Sequence, residues 1–218
     1  MRKAALVTLI VAMLCLTSGL AMAETVQFIN VSPGFGVGFT KPTGVEVNWQ
    51  TGVYNFEVQT GPLSGTYGGF CVDPAGATTS PATNYSIIPI PTTGNYFYAA
   101  YLLNKYYTLP PTSTNAAAIQ SAIWEFMFET AGTYDITADN FFMRNNSTLA
   151  TQAQGYIADA LANAAGTNLD GFYLAVSPNA TDYFNKEYQD FIFKAPEPMT
   201  MILFGLGLIG LAAIRREK

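Results

Sequence analysis

The sequence predicts an α+β fold, a β-rich, sandwich-like domain with a helical insertion, flanked by an N-terminal signal peptide and a C-terminal transmembrane helix. Three observations carry this prediction. Short alternating segments rich in Val, Phe, Tyr and Thr, punctuated by Gly, Pro and Asn, fill residues 26–90 and return after residue 171. Between them the apolar period changes from two residues to three or four. Each end carries an apolar run set apart from the rest of the chain.

The chain opens on Met1-Arg2-Lys3, followed by an apolar run from Ala4 to Leu16 and by Ala21-Met22-Ala23 before Glu24. A basic start, a short apolar stretch and an Ala-x-Ala site are the parts of a secretory signal peptide, predicted over 1–23. An uncleaved anchor is the alternative, but the run is short for a bilayer. The main domain is then expected over 24–194.

Strands are expected over Val26–Val31 and Gly44–Val58, the second alternating as Val45, Val47 and Trp49 and continuing through Val53, Phe56 and Val58. Thr60 to Gly65 is a turn signal, and Tyr67–Val72 is a short strand ended by Asp73-Pro74. Tyr85–Ile90 reads as a further strand. A helix is expected over Asn95–Tyr107, broken by Leu109-Pro110-Pro111. Ser113-Thr114-Asn115 offers a cap for a second helix, Asn115–Glu129. There Ile119, Ala122, Ile123 and Phe126 form a core stripe, widened by Trp124, Met127 and Phe128 until the helix is apolar nearly all round and expected to be buried. Thr148–Ala165 is an Ala-rich third helix, and Gly171–Val176 and Tyr188–Phe193 return to strand patterns.

The last 24 residues, 195–218, form a tail of their own. Pro196-Glu197-Pro198 precedes an apolar run, 199–214, and then Arg215-Arg216-Glu217-Lys218. The run is slightly short for a spanning helix, though flanking side chains and bilayer thinning accommodate that. Its arginines belong on the cytoplasmic side, which leaves the body of the chain outside. A plain membrane anchor shares most of these features, but Pro-Glu-Pro, apolar run and terminal Arg-Arg in this order resemble the PEP-CTERM sorting signal. The resemblance implies recognition by exosortase-type machinery in a Gram-negative bacterium that makes extracellular polysaccharide. It also implies membrane association through the tail before processing. The expected location is the cell surface, outer envelope or extracellular polysaccharide matrix.

Composition narrows the function. Between Glu24 and Pro198 stand five Lys or Arg against fourteen Asp or Glu, a net charge of −9. That acidity argues against nucleic acid as a partner, because phosphate binding needs clustered cations. The sequence contains no histidine, which removes Ser-His-Asp and Cys-His catalysis and the usual zinc sites. Nothing in it calls for a cofactor. Of two cysteines, Cys15 lies in the signal peptide, so Cys71 is left alone in the domain with no disulfide partner.

Cys71 stands in Phe70-Cys71-Val72-Asp73-Pro74, and Gln120 in Ile119-Gln120-Ser121-Ala122-Ile123-Trp124-Glu125. A glutamine inside an apolar helix is the more unusual feature, since a buried amide must find partners for its donors and acceptor. Read singly, the cysteine is a small core hydrophobe and the glutamine a hydrogen-bonded side chain. Together, in this order, they resemble the thioester domain of bacterial surface adhesins, in which an aromatic-Cys element is paired with a later Gln-x-Ala-Ile-Trp helix. The resemblance spans about Gly68 to Glu129 and implies that Cys71 and Gln120 form an internal thioester with loss of ammonia. It departs from the familiar examples in its tail and in a short Cys-to-Gln interval. Such a bond is a stored acyl group that a surface amine or hydroxyl, on a protein or a polysaccharide, captures covalently. Asp73, Glu125 or a tyrosine would move the protons, and Trp124 and Phe126 would exclude water.

Two rivals follow from the same residues. One is a non-covalent structural or carbohydrate-binding matrix protein of the same fold with no such bond. The other is a transferase using Cys71, disfavoured because no histidine activates the thiol. The chain is therefore expected not to be an enzyme. Asp135, Asp139 and Asn140 do not match a calcium loop and read as an acidic turn. The Asn-x-Ser/Thr triplets at Asn84, Asn146 and Asn179 read as chance matches. Tyr96, Tyr98, Tyr101, Tyr106 and Tyr107 suit sugar stacking in principle, but divide more simply into core and surface.

Overall fold

The structure, a computed structural model, describes residues 23–74, 83–129, 132–138, 140–178 and 188–195. The predicted signal peptide before Ala23, the apolar run 199–214 and its flanking Pro196, Glu197, Pro198, Arg215 and Arg216 lie outside the described residues, as does Asp139. No helix among the described residues is long and apolar enough to cross a membrane.

Seven strands and three helices are described. The strands are β1 (Ala23–Thr40), β2 (Glu46–Val58), β3 (Gly65–Cys71), β4 (Thr83–Pro89), β5 (Phe142–Arg144), β6 (Phe172–Val176) and β7 (Phe191–Lys194). The helices are α1 (Asn95–Tyr106), α2 (Ser113–Phe128) and α3 (Ser147–Asn163). All three fall between β4 and β6, as the change of period predicts. Helix α2 begins two residues before the expected start, because the Thr112 side chain accepts the hydrogen bond of the Asn115 N–H.

The strands do not form two separate sheets. Every pairing is antiparallel, and six strands close on themselves in the order β1, β2, β3, β7, β6, β4 and back to β1. The sandwich-like expectation gives way to this ring because β1 is 18 residues long and serves both sides. Its first residues, Ala23–Val26, pair with β4, while Val26–Thr40 pairs with β2. Closure leaves the six strands without a free edge along the paired stretch.

The second half of β1 leaves the ring. Register shifts between Phe28 and Asn30 and between Val31 and Gly34 bend the β1–β2 ribbon. At the bend the two backbones nearly touch. A Cβ on Gly34 would lie 2.2 Å from the Thr51 carbonyl oxygen, and one on Gly52 would lie 2.3 Å from the Pro33 oxygen. Gly52 also holds φ at +142°, which side chains rarely adopt. Beyond the bend, β1 takes β5 as its other neighbour. Phe39, Trp49, Phe141 and Trp124 pack there, joining the ribbon to α2.

Helix α2 is buried continuously from Ala116 to Met127, as its apolar circumference predicts. It lies against β1 and β2 on one side and α1 and α3 on the other. This central position delivers Gln120 to the end of β3.

Candidate functional site

Cys71 is the last residue of β3, and the bend just described leaves its main chain without a strand partner on one side. β2 and β3 pair only as far as Tyr54 and Gly69. Strand alternation turns the N–H and C=O of Cys71, two residues on, in the same direction as those of Gly69, toward β2. By then β2 has veered away. The Gln120 carboxamide fills the gap: the Cys71 N–H donates to Oε1 at 3.0 Å, and Nε2 donates to the Cys71 carbonyl at 2.7 Å. One side chain thus stands in for a β2 residue and completes the ladder. Both groups are buried, so each bond avoids an unsatisfied polar group costing about 1–3 kcal/mol. Only one orientation of the amide meets an N–H and a C=O at once, so the pattern fixes it.

The thiol of Cys71 is free and fully buried. Burial pushes its pKa well above the ordinary range, and the neighbouring Asp73 carboxylate pushes it further. The Asp73 main-chain N–H and the Trp124 indole act the other way, and Asp190 adds to the rise. Among the described residues the indole Nε1 of Trp124 has no hydrogen-bond partner of ordinary geometry. Trp124 reaches this place because it lies four residues after Gln120, one turn along the same face of α2. Its ring is held edge-on by Phe39 and Trp49, with centroids 5.5 and 5.3 Å away.

Asp73 is fixed by a short chain of buried hydrogen bonds. Its Oδ1 accepts from the Asp190 N–H at 2.7 Å, and Asp190 Oδ1 accepts from the Ser177 N–H at 2.7 Å. The Val72 N–H donates to the Asp190 carbonyl at 3.0 Å. The strand ends of β3, β6 and β7 therefore converge on one carboxylate pair behind the cysteine.

Cys71, Gln120, Asp73 and Trp124, all singled out in the sequence, come together. Glu125, five residues on from Gln120, is turned roughly 140° around α2 and is buried, and its carboxylate acts on Tyr134, whose pKa is raised by burial first, then by Tyr98 and Glu125. Two groups escaped the sequence reading. Tyr54 pairs with Gly69, two residues before Cys71; its hydroxyl donates to the Gln50 carbonyl at 2.7 Å, and its pKa is raised well above normal by burial and then by Cys71. The Gln189 side chain acts on the Tyr54 pKa in the opposite direction, and the Gln189 main-chain carbonyl accepts from the Tyr85 hydroxyl at 2.8 Å. No sequence motif marks either residue.

The other candidates are tied into the fold. Asp135 Oδ1 accepts from the N–H and hydroxyl of Thr137, which lowers its pKa, as in a capped turn. Tyr101 donates to Asp159, Tyr107 donates to the Gly68 carbonyl and Tyr98 stacks on Phe126, so these rings serve packing between elements.

Residues 194–216 match the model of the PEP-CTERM protein-sorting motif. The chain carries a PEP-CTERM sorting signal. The match covers the Pro-Glu-Pro, apolar run and arginines read from the sequence, and marks an exported, surface-targeted protein recognised by exosortase-type machinery. The structure is similar to the N-terminal thioester domain of fibronectin-binding protein SfbI from Streptococcus pyogenes, at 12% identity and a TM-score of 0.43, over 81% of this chain and 95% of that one. No curated protein matches the chain.

Proposed function

We propose that Cys71 and Gln120 form an internal thioester and that the exported chain uses it once, to attach itself covalently to a nucleophile on a surface or polymer. The observation that carries this reading is the Gln120 carboxamide docked on the main chain of Cys71 by two hydrogen bonds in a buried site.

The chemistry follows from these contacts. The Cys71 sulfur gives up its proton and bonds to Cδ of Gln120. The negative charge that develops on Oε1 is met by the Cys71 N–H already pointing at it, as in an oxyanion hole. The Cδ–Nε2 bond then breaks, and Nε2 departs as ammonia carrying the former thiol proton. Asp73, the charged group acting most strongly on the thiol, takes that proton and passes it on. The acyl group formed is far more reactive than the amide it replaces, and burial under Trp124 keeps water from it. An external amine then bonds to Cδ, the Cδ–sulfur bond breaks, and Cys71 regains its thiol. Nothing regenerates the amide, so the protein acts stoichiometrically and is not an enzyme.

A second reading has one observation in its favour: the same two hydrogen bonds let Gln120 act only as a cap on the β3 ladder. The protein would then be a non-covalent matrix component. Thiol labelling separates the two. A thioester protects Cys71 from iodoacetamide in denatured protein until methylamine releases it. If Cys71 labels fully in denatured protein without methylamine, the thioester reading is wrong.

A further inference from the structure

Beside the site, a cleft of about 480 Å³ opens to the surface between β1, β2 and the chain before β7. Its walls include Phe28, Trp49 and Tyr54, and its polar groups come from Asn30, Gln50 and Gln189. None of its described lining residues is charged. Tyr54 and Gln189 both line it: Tyr54 pairs with Gly69, two residues before Cys71, and Gln189 precedes Asp190, whose carbonyl accepts from the Val72 N–H.

Gln189 carries the further observation. It is only 7% exposed, and its Oε1 has no hydrogen-bond partner among the described residues. A buried carbonyl oxygen left without a donor is costly, and it calls for an N–H or O–H from outside the chain, from water or from a ligand. Asn30 is exposed at the rim, with its Oδ1 engaged by Asn55 at 2.8 Å. Flat aromatic walls combined with neutral amides match a sugar ring, which has an apolar C–H face and a girdle of hydroxyls. A protonated lysine would leave water for a cleft whose described lining offers no counter-charge.

We propose that this cleft admits a saccharide, and that Gln189 Oε1 accepts the hydrogen bond of the sugar hydroxyl or amino group that attacks the acyl group on Gln120. The inference rests on the thioester reading and names its target class. The attacking oxygen or nitrogen bonds to Cδ of Gln120 and the Cδ–sulfur bond breaks. The proton of the nucleophile ends on the Cys71 sulfur, leaving an ester or an amide to the sugar. The carboxamide of Gln189 exchanges no proton; it orients the attacking atom.

The test uses the full chain and intact mass, following adduct formation with glucosamine, methylamine and Nα-acetyl-lysine amide, with rates compared per free base. Glucosamine is expected to saturate and to react at least tenfold faster than the lysine analogue at low concentration. Gln189→Leu is expected to lower the glucosamine-to-methylamine rate ratio about tenfold. Gln50→Ala, at the exposed rim where folding is not at stake, is expected to lower it two- to threefold. An ammonia deficit with the lysine analogue reacting as fast as glucosamine overturns the saccharide assignment and leaves the thioester standing, with a protein amine as target. Unchanged ratios in both variants also overturn it. Absence of the ammonia deficit overturns both readings together.

Discussion

Helix α2 carries two buried polar side chains that reach across to a neighbouring main chain, and they do so to different ends. Gln120, in its middle, holds the N–H and C=O of Cys71. Glu129, at its C-terminal cap, accepts from the Phe141 N–H and holds Asn140. Both are staples that tie the helix to a segment outside it. Glu129 is an acid whose carbon has no nucleophile described beside it. Gln120 presents an amide carbon at the end of a strand that finishes on a thiol. The difference lies in what surrounds the staple, not in the staple itself.

Three substitutions sharpen this contrast. Gln120→Ala is expected to abolish any ammonia deficit or amine adduct and also to cost ~3 kcal/mol of stability, because two main-chain groups of Cys71 lose their partner. Mass spectrometry and denaturant melts read the two effects separately. Asp73→Asn keeps an oxygen for the Asp190 N–H but removes the carboxylate, and should slow loss of ammonia from freshly folded protein about a hundredfold. Because Asp73 raises the thiol pKa, the same change in a Gln120→Ala background should shift the pH at which Cys71 alkylates downward. A rate within threefold of the parent would show that Asp73 only packs. Glu129→Ala is expected to have the smallest chemical effect. It should cost about 1–3 kcal/mol in a melt while the ammonia deficit per folded molecule stays unchanged.

Much of this was legible in the sequence, and the failures have physical causes. Alternation located β2, β3, β4, β6 and β7 to within a few residues, and the Cys-Gln motif pair names two residues that the fold brings into hydrogen-bond contact. The second half of β1 did not read as a strand because Pro33, Gly34, Gly36 and Gly38 look like breakers. Gly34 is needed there, since the β1 and β2 backbones come too close for a side chain. β5 is three residues long and too short to show a period. Closure of the ring was hidden for a related reason: pairing on both sides of one long strand leaves no local signature. Glu125 reads from the sequence as one of the groups that would move protons. Five residues along a helix turn a side chain roughly 140° away, which puts it opposite Tyr134 rather than Cys71. Tyr54 and Gln189 are the converse case, distant in sequence and marked by no motif, yet lining one cleft.

The most direct test of the central claim is the intact mass of the purified chain before and after methylamine. The account predicts a mass low by one ammonia, a shift upward by one methylamine on treatment, and loss of both signals in Cys71→Ala. A full mass that methylamine leaves unchanged would contradict it, and Gln120 would then be a ladder cap in a non-covalent matrix protein.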